Sequence, residues 1–198
     1  MSIVPLVSGG LDSTLMVALM QEEGIEQYPL FLDYGQRFGA REWSACQNAL
    51  ARLGAPKPTR MDLSGFGHLI PSGLTDVSLD VFEDAFLPGR NFLFLLVAAS
   101  FAYSKASHAV AIGLLAEDTR LFPDQSSEFL EAAGQAIDVA FGVRIRVLAP
   151  LMAFHKADIL VLAGQRGISG TYSCHSGSAE PCGRCVSCLE MIAARTES

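Results

Sequence analysis

The chain has 198 residues, half of them hydrophobic, and a formal net charge of −7 from 14 basic and 21 acidic side chains. This length and composition predict a single folded domain, 1–198, with a substantial core, and they exclude extended disorder. The arginines are scattered singly, without the basic stripe that binders of long nucleic acids use to neutralise phosphates. The composition therefore favours small-molecule substrates.

The sequence opens without the features of an exported or membrane protein. The first apolar run follows Met1 directly, with no basic segment and no small-residue cleavage site. The longest apolar stretch, 92–103, is too short and too mixed to span a bilayer. We therefore expect a cytoplasmic protein without membrane contacts.

Strand-like and helix-like segments alternate along the chain. Apolar runs predict strands at 2–7, 27–34, 59–63, 108–113 and 144–150. Helical periodicity predicts helices at 12–23, 39–53, 91–106, 126–141 and 154–166. Residues 64–89 have no clear period and predict an irregular excursion. The alternation predicts an α/β fold with a Rossmann-like parallel sheet and helices on both faces. The apolar helix 91–106 fits a core helix or part of a homodimer face, so the oligomeric state stays open.

The segment VPLVSGGLDSTLM, 4–16, has the composition of a phosphate-binding loop but lacks the lysine of the ordinary P-loop. Its glycines let backbone N–H groups approach an anion, and the start of the following helix adds partial positive charge. Asp12 suits a cation such as Mg²⁺ that accompanies the phosphates. The alternative is a plain glycine turn in which Asp12 caps the helix. The predicted ATP-binding residues of this loop are Val7, Ser8, Gly9, Gly10, Leu11, Asp12 and Ser13.

Four of the five cysteines, Cys174, Cys182, Cys185 and Cys188, form a C-x₇-C-x₂-C-x₂-C pattern near the C-terminus. In a reducing compartment such crowding indicates a metal site rather than disulfides. Four thiolates suit a closed structural zinc site, and an iron–sulfur cluster is the competing interpretation. We expect residues 170–190 to form a small zinc-binding lobe.

The loop SGGLDS resembles the signature of the PP-loop, or N-type, ATP pyrophosphatases. The resemblance implies that ATP is used to transfer AMP and release pyrophosphate, which explains why the usual lysine is missing. YGQRFGARE, LPGRNFLFL, LAPLMAFHKADILVLA and the four-cysteine segment, in this order along nearly the whole chain, together resemble the QueC family of 7-cyano-7-deazaguanine synthases.

The family resemblance implies a ligase that takes 7-carboxy-7-deazaguanine, ATP and ammonia in queuosine biosynthesis. Adenylation of the carboxylate would give an acyl-adenylate that ammonia converts into an amide, and a second adenylation would yield the nitrile. Carried over residue by residue, Asp12, Lys156 and Arg90 are the expected catalytic residues. Gly113 joins the ATP site. Asp124, Asp118, Phe122 and Gln36 are the expected substrate-binding residues, with Asp124 accepting from the guanine-like edge of the base.

One stretch departs from the family pattern. The family reads approximately G-x₄-D-x₃-Y-P-D-C-R, whereas this chain has Gln125 and Ser126 in place of the Cys-Arg pair. This departure leaves two outcomes open: ordinary nitrile synthesis, or a paralogue of the kind found in anti-phage defence that passes the activated deazaguanine to a protein amine. A tRNA-thiolating PP-loop enzyme with an iron–sulfur cluster and a non-catalytic nucleotide-binding module are further alternatives.

Overall fold

The computed structural model describes residues 1–178 and 180–196, with Glu117 described by its backbone alone. Ala179 of the predicted zinc lobe, and Glu197 and Ser198 of the predicted domain, lie outside the described residues. Among the described residues, no helix combines the length and apolarity needed to cross a bilayer.

The described residues form six strands, and every pairing between them is parallel. They are β1 (Ser2–Pro5), β2 (Glu26–Gln27), β3 (Leu30–Asp33), β4 (Thr59–Asp62), β5 (Ala109–Ala111) and β6 (Arg146–Leu148). The order β2-β1-β5-β6 forms one sheet, and β3 pairs with β4. A parallel bridge between Leu6 and Leu30 links the two ladders. This arrangement confirms the predicted parallel α/β fold.

Seven α-helices accompany the strands in the described part of the chain. They are α1 (Leu11–Glu22), α2 (Gly39–Arg52), α3 (Ser64–Leu69), α4 (Arg90–Ser104), α5 (Ser127–Phe141), α6 (Lys156–Gln165) and α7 (Val186–Thr196). Alternate residues of β1 enter different cores: Val4 packs with α4 and α5, whereas Ile3 packs with residues of α1 and α6. Helices therefore cover both faces of the sheet, as the periodicity predicted.

Two local predictions were wrong, and one helix was not predicted. The strand predicted at 27–34 is interrupted at Tyr28–Pro29, because proline has no N–H to donate to a ladder. The excursion 64–89 contains α3, a short helix whose Gly-rich sequence lacks an apolar period. The cysteine lobe runs into α7, which we did not predict because its first residues carry the cysteine pattern.

Candidate active site

The glycine loop lies where the order of strands reverses. β1 has β2 on one side and β5 on the other, and the loop 8–13 follows directly after β1. In open parallel sheets, ligands bind beyond the carboxyl ends of the strands at such a switch point. The topology therefore puts the predicted phosphate loop at the expected ligand crevice.

Gly9 is a position that only glycine fits. Its φ is +82°, and an added Cβ would lie 2.6 Å from the carbonyl oxygen of Glu42 and 2.7 Å from the backbone nitrogen of Cys46. Both contacts are with backbone atoms of α2, and moving them would disturb the helix. The loop is therefore pressed against α2. The backbone N–H of Tyr172 also donates to the carbonyl of Gly9 at 2.9 Å, so the cysteine lobe braces the loop from its other side.

Serine side chains stabilise the same loop from within. The backbone N–H of Ser8 donates to Oγ of Ser13 at 3.1 Å, and the two hydroxyl oxygens are also 3.1 Å apart. Gly10 is the N-cap of α1 and makes no side-chain capping bond. The alternative in which Asp12 caps this helix is therefore wrong. The N–H groups of the first turn lack partners within the helix and are free for an anion.

Asp12 forms an ion pair with Lys156, the first residue of α6. Nζ of Lys156 lies 2.6 Å from Oδ1 and 2.9 Å from Oδ2 of Asp12. The lysine side chain is 11% exposed and the carboxylate 27%, so water screens the pair only in part. Two residues 144 positions apart in sequence thus meet at the mouth of the glycine loop.

A first cavity of about 290 Å³ opens beside the loop. A second cavity of about 380 Å³ lies against it and is lined by Lys156 together with Asp12, Gly113 and Gln125. Ten predicted site residues line the first cavity: Val7, Ser8, Gly10, Leu11, Asp12, Ser13, Gln36, Arg90, Gly113 and Phe122. The predicted ATP, catalytic and substrate sets are therefore largely brought together in one crevice.

Arg90 lies at the start of α4 and faces aromatic rings of the first cavity. Its guanidinium carbon is 5.8 Å from the ring centre of Tyr34 and 5.9 Å from that of Phe94, distances typical of cation–π contacts. Burial raises the pKa of Tyr34 to about 12 even though the arginine acts in the opposite direction. The tyrosine thus stays neutral, and the arginine supplies positive charge to the cavity wall.

Gln36 is a buried structural support as well as a cavity residue. Its Oε1 accepts from the backbone N–H of Tyr34 at 2.8 Å, while its Nε2 donates to Oε2 of Glu42 at 3.0 Å. Burial raises the pKa of Glu42 to about 7, although the Gln36 hydrogen bond and Arg90 lower it. A carboxyl that titrates near neutral pH therefore lines the first cavity.

The turn 122–126 is held by α4. Nδ2 of Asn91 donates to the carbonyl oxygen of Asp124 at 2.9 Å, and the Asn91 backbone N–H lies 3.4 Å from Oδ2 of Asp124. Oδ1 of Asp124 is buried and has no hydrogen-bond partner among the described residues. The ring of Phe122 stacks on Phe86 with centres 5.2 Å apart. The turn therefore carries both a carboxylate oxygen that can accept a further hydrogen bond, Oδ1 of Asp124, and an aromatic ring, Phe122.

Two predicted substrate residues stand apart from this cavity. Asp118 is 70% exposed and lies 3.0 Å from Nε2 of His155, and that contact lowers the pKa of its carboxyl. Asp124 contacts Asn91 and does not line the cavity, although Phe122 and Gln125 of the same turn do. The roles assigned to both residues stay predictions.

The four cysteines of the tail converge as predicted. Their Sγ atoms all lie within 4.8 Å of one another, and the Sγ atoms of Cys182 and Cys188 are 3.8 Å apart. Tetrahedral thiolates about 2.3 Å from zinc are about 3.8 Å apart, so the cluster matches a zinc site. Burial opposes ionisation of Cys174, but hydrogen bonds from Ser176 and Ser178 lower its pKa to about 5. The cluster can therefore bind a metal ion such as zinc.

Some residues that line the cavities were not predicted from the sequence. His175 lines the first cavity, and burial lowers its pKa to about 4, so the ring is neutral near pH 7. Glu190 of α7 lines both cavities. Its position next to the cysteine pattern was the only signal, since α7 itself was not predicted. The Asn91 contact was hidden because its partner lies 33 residues away.

A parallel sheet with a glycine loop at its switch point, braced by a four-thiol lobe, defines a nucleotide-binding α/β protein of the PP-loop type. Solved structures support the fold: a predicted subunit of tRNA methyltransferase from Methanocaldococcus jannaschii is similar over 83% of this chain and 74% of its own, with a TM-score of 0.55 and 17% identity. NMN synthetase from Francisella tularensis gives a TM-score of 0.52 at 14% identity, over 84% and 62% of the two chains.

The sequence comparisons identify the family. The family described as "Queuosine biosynthesis protein QueC" matches residues 2–197. The chain is 34% identical to 7-cyano-7-deazaguanine synthase of Campylobacter curvus, over 93% of this chain and 88% of that protein. It is 37% identical to 7-cyano-7-deazaguanine synthase 2 of Desulfitobacterium hafniense, over 93% and 84% of the two chains. The chain belongs to the QueC family.

Proposed function

We propose that this protein is an ATP-dependent ligase that converts 7-carboxy-7-deazaguanine and ammonia into 7-cyano-7-deazaguanine. The relatives that carry this name match it along almost their whole length. The observation that carries the proposal is the first cavity, because its wall includes both the glycine loop and the turn at Phe122. An enzyme that adenylates a carboxylate needs ATP and acid side by side in this way.

The first step is transfer of AMP to the substrate carboxylate. The loop amides from Gly9 to Ser13 would hold the phosphates, and the oxygen of the acid would attack the α-phosphorus while pyrophosphate leaves. Lys156 would stabilise the leaving pyrophosphate, since its ammonium is already positioned at the loop by Asp12. Arg90 would bind an anionic oxygen of either substrate.

ATP is bound in such reactions with Mg²⁺, and Asp12 is the residue we assign to it. Carboxylate oxygens are the ligands that Mg²⁺ prefers, and Asp12 faces both cavities. Binding the ion would require Asp12 to share its oxygens with Lys156. The metal would supply charge neutralisation on the phosphates.

The cysteine lobe would hold a structural zinc ion. All four ligand positions would be filled by thiolates, which leaves no open position for a reacting group. The ion would fix Tyr172, whose N–H supports Gly9, and so would act on the ATP site through the backbone. A reducing compartment keeps neighbouring cysteines as thiols, which is why we propose a cytoplasmic protein.

The deazaguanine base would be read by Asp124 and Phe122. The unpartnered Oδ1 of Asp124 would accept from the base's N–H edge, and Phe122 would stack on the ring. Asp118 and Gln36 would complete the site, the latter through the turn after β3.

We keep a homodimer as a proposal, with the apolar helix α4 as its face.

The family comparisons do not favour the alternatives. Two alternatives lack support among the named relatives: a protein amine as final acceptor, as in a defence paralogue, and tRNA thiolation with an iron–sulfur cluster.

The experiment that tests the proposal is mass analysis after incubation with 7-carboxy-7-deazaguanine, ATP, Mg²⁺ and ammonium. We expect the nitrile, with two AMP formed per product. Amide without nitrile would limit the enzyme to the first half of the reaction, and no AMP at all would refute the proposal.

A further inference from the structure

Gln125 lies in the wall that separates the two cavities. Five residues line both of them: Asp12, Gly113, Leu114, Gln125 and Glu190. Asp12 and Glu190 carry carboxyl groups, whereas Gly113 and Leu114 have no polar side chain. Gln125 is therefore the shared residue whose side chain carries a neutral hydrogen-bond donor.

The orientation of its amide is fixed by the backbone of its own turn. Oε1 of Gln125 accepts from the backbone N–H groups of Leu121 and Phe122, both at 2.9 Å. Only the oxygen end of an amide can accept, so these two bonds assign the oxygen and direct Nε2 the other way. Nε2 has no hydrogen-bond partner among the described residues and is not a buried atom. The NH₂ group is left for the cavity.

Neighbouring side chains of the turn do not offer the same group. Oγ of Ser126 donates to the carbonyl of Pro123 at 3.2 Å and accepts from the backbone N–H of Phe129 at 3.1 Å, which caps α5. Asp124 is an acceptor and is held against Asn91. Within this turn, Ser126 caps α5 and Asp124 can only accept hydrogen bonds. Gln125 is therefore the residue of the turn that offers an N–H donor to the cavity.

We propose that Nε2 of Gln125 donates a hydrogen bond to the acyl oxygen of the adenylated substrate, and so acts as an oxyanion donor in amide formation. This inference rests on the proposed function and adds a catalytic residue to it. Ammonia attacks the acyl carbon, the carbonyl electron pair moves to the oxygen beside Nε2, and a C–N bond forms. The pair then returns, the bond to the AMP oxygen breaks so that AMP leaves, and nitrogen loses a proton to a second ammonia molecule or to water.

A neutral amide suits this task beside the Asp12–Lys156 pair. A cationic side chain here would compete with Lys156 for Asp12, and a carboxylate would repel the substrate's own carboxylate. An amide N–H stabilises the charge that develops on the acyl oxygen without altering the local balance of charge. Preorganised donors of this kind contribute about 100-fold or more to acyl transfer.

The test compares Gln125→Glu with Gln125→Met in two assays. Exchange of labelled pyrophosphate into ATP with saturating 7-carboxy-7-deazaguanine reports adenylation, and quenched single turnovers with ammonium report amide formation. For both variants we expect amide formation to fall about 100-fold, while exchange changes by about fivefold or less. The glutamate variant keeps an oxygen acceptor for Leu121 and Phe122, so its turn should stay formed.

The glutamate variant separates a donor from a support of the turn. Near pH 8 its carboxyl is ionised and can only accept, and it still accepts from Leu121 and Phe122, so its amide rate should stay about 100-fold below that of the wild type. Gln125→Met also lacks an N–H donor and should be no faster. If Gln125→Glu forms amide at the wild-type rate near pH 8, Gln125 only holds the turn and the proposal is overturned.

Gln135→Glu is the matched control, since the same chemical change is then made on the exposed face of α5. It should leave both assays unchanged. A wild-type protein that shows no exchange would refute the proposed function and this inference together. The other outcome concerns Gln125 alone. If the wild type exchanges pyrophosphate and forms amide, and Gln125→Glu is equally active in both assays, the role of Gln125 is refuted and the proposed function stands.

Discussion

The glycine loop 8–13 and the turn 122–126 face one cavity but are built in different ways. Both have hydrogen bonds among their own residues: Ser8 with Ser13 in the loop, and those of Gln125 and Ser126 in the turn. They differ in what holds them from outside, because α2 and Tyr172 fix the backbone of Gly9, whereas Asn91 of α4 holds Asp124. The comparison teaches that the phosphate site and the proposed base site depend on separate parts of the fold. Mutations in those parts should therefore damage the two sites to different degrees.

Gly9→Ala should have the largest effect. The methyl group would enter α2 at a positive φ, so the loop must move, and a shift of about 1 Å can cost about 100-fold in rate. We expect pyrophosphate exchange to fall at least that far and the melting temperature to drop. Gly54→Ala is the matched control, since φ there is also positive, +64°, but its Cβ would meet nothing within 4 Å. Equal effects at both positions would contradict the tight packing of the loop.

Lys156→Met should have the second-largest effect on activity. It tests the role of the ion pair between Lys156 and Asp12. Removal of the ammonium leaves the partly buried Asp12 unpaired beside the phosphate site and should lower kcat for exchange by about 100-fold. Arg166→Gln tests whether any ion pair between α6 and α1 would do the same, because Arg166 binds Glu22 at the exposed end of these helices. We expect that variant to stay within about twofold of wild type, as exposed pairs contribute little.

Cys185→Ser should weaken the brace between the lobe and the loop. We expect loss of the bound zinc, a fall in melting temperature of about 10 °C at about 2–4 °C per kcal/mol, and a weaker affinity for ATP. Metal content by mass spectrometry and thermal denaturation would measure this. Cys46→Ala is the control, as this buried thiol lies outside the cluster and packs against α1 and β3 residues. A variant that loses zinc but binds ATP normally would break the link through Tyr172.

Asn91→Ala should affect the turn and spare the loop. Loss of its bond to Asp124 removes about 1 kcal/mol and loosens the acceptor, so KM for 7-carboxy-7-deazaguanine should rise about fivefold. KM for ATP should stay within about twofold, since the loop does not use this contact. Asn48→Ala on the exposed surface of α2 is the control. A matching rise in both KM values would mean that the two sites are not separable.

Glu42→Gln should have the smallest effect, visible only in the pH dependence of stability. Because the pKa of Glu42 is raised to about 7 in the folded chain, the folded state binds more protons than the unfolded state between about pH 4.5 and 7. This carboxyl therefore makes the free energy of unfolding decrease as pH rises through that range. Glu42→Gln should remove that part of the decrease in urea denaturation, whereas Glu131→Gln on exposed α5 should not. Parallel curves for wild type and Glu42→Gln would contradict the raised pKa.

The sequence predicted the parallel fold, most of the elements and the converging cysteines, because each depends on local periodicity or spacing. It also predicted that Asp12 and Lys156 belong to one site, through the family resemblance. It did not predict the direct ion pair between them, the brace from Tyr172 to Gly9, or the Asn91 contact with Asp124. These interactions join residues far apart in sequence and leave no periodic signal. The helix α7 was missed because the cysteines at its start were interpreted as metal ligands only.

The central claim is that the glycine loop holds ATP so that AMP passes to a carboxylate. The most direct measurement is exchange of ³²P-labelled pyrophosphate into ATP by the purified protein with Mg²⁺, with and without 7-carboxy-7-deazaguanine and in the absence of ammonia. The account predicts exchange that requires the acid and is abolished in Gly9→Ala. Exchange that ignores the acid, or none while the acid and ATP both bind, would contradict it.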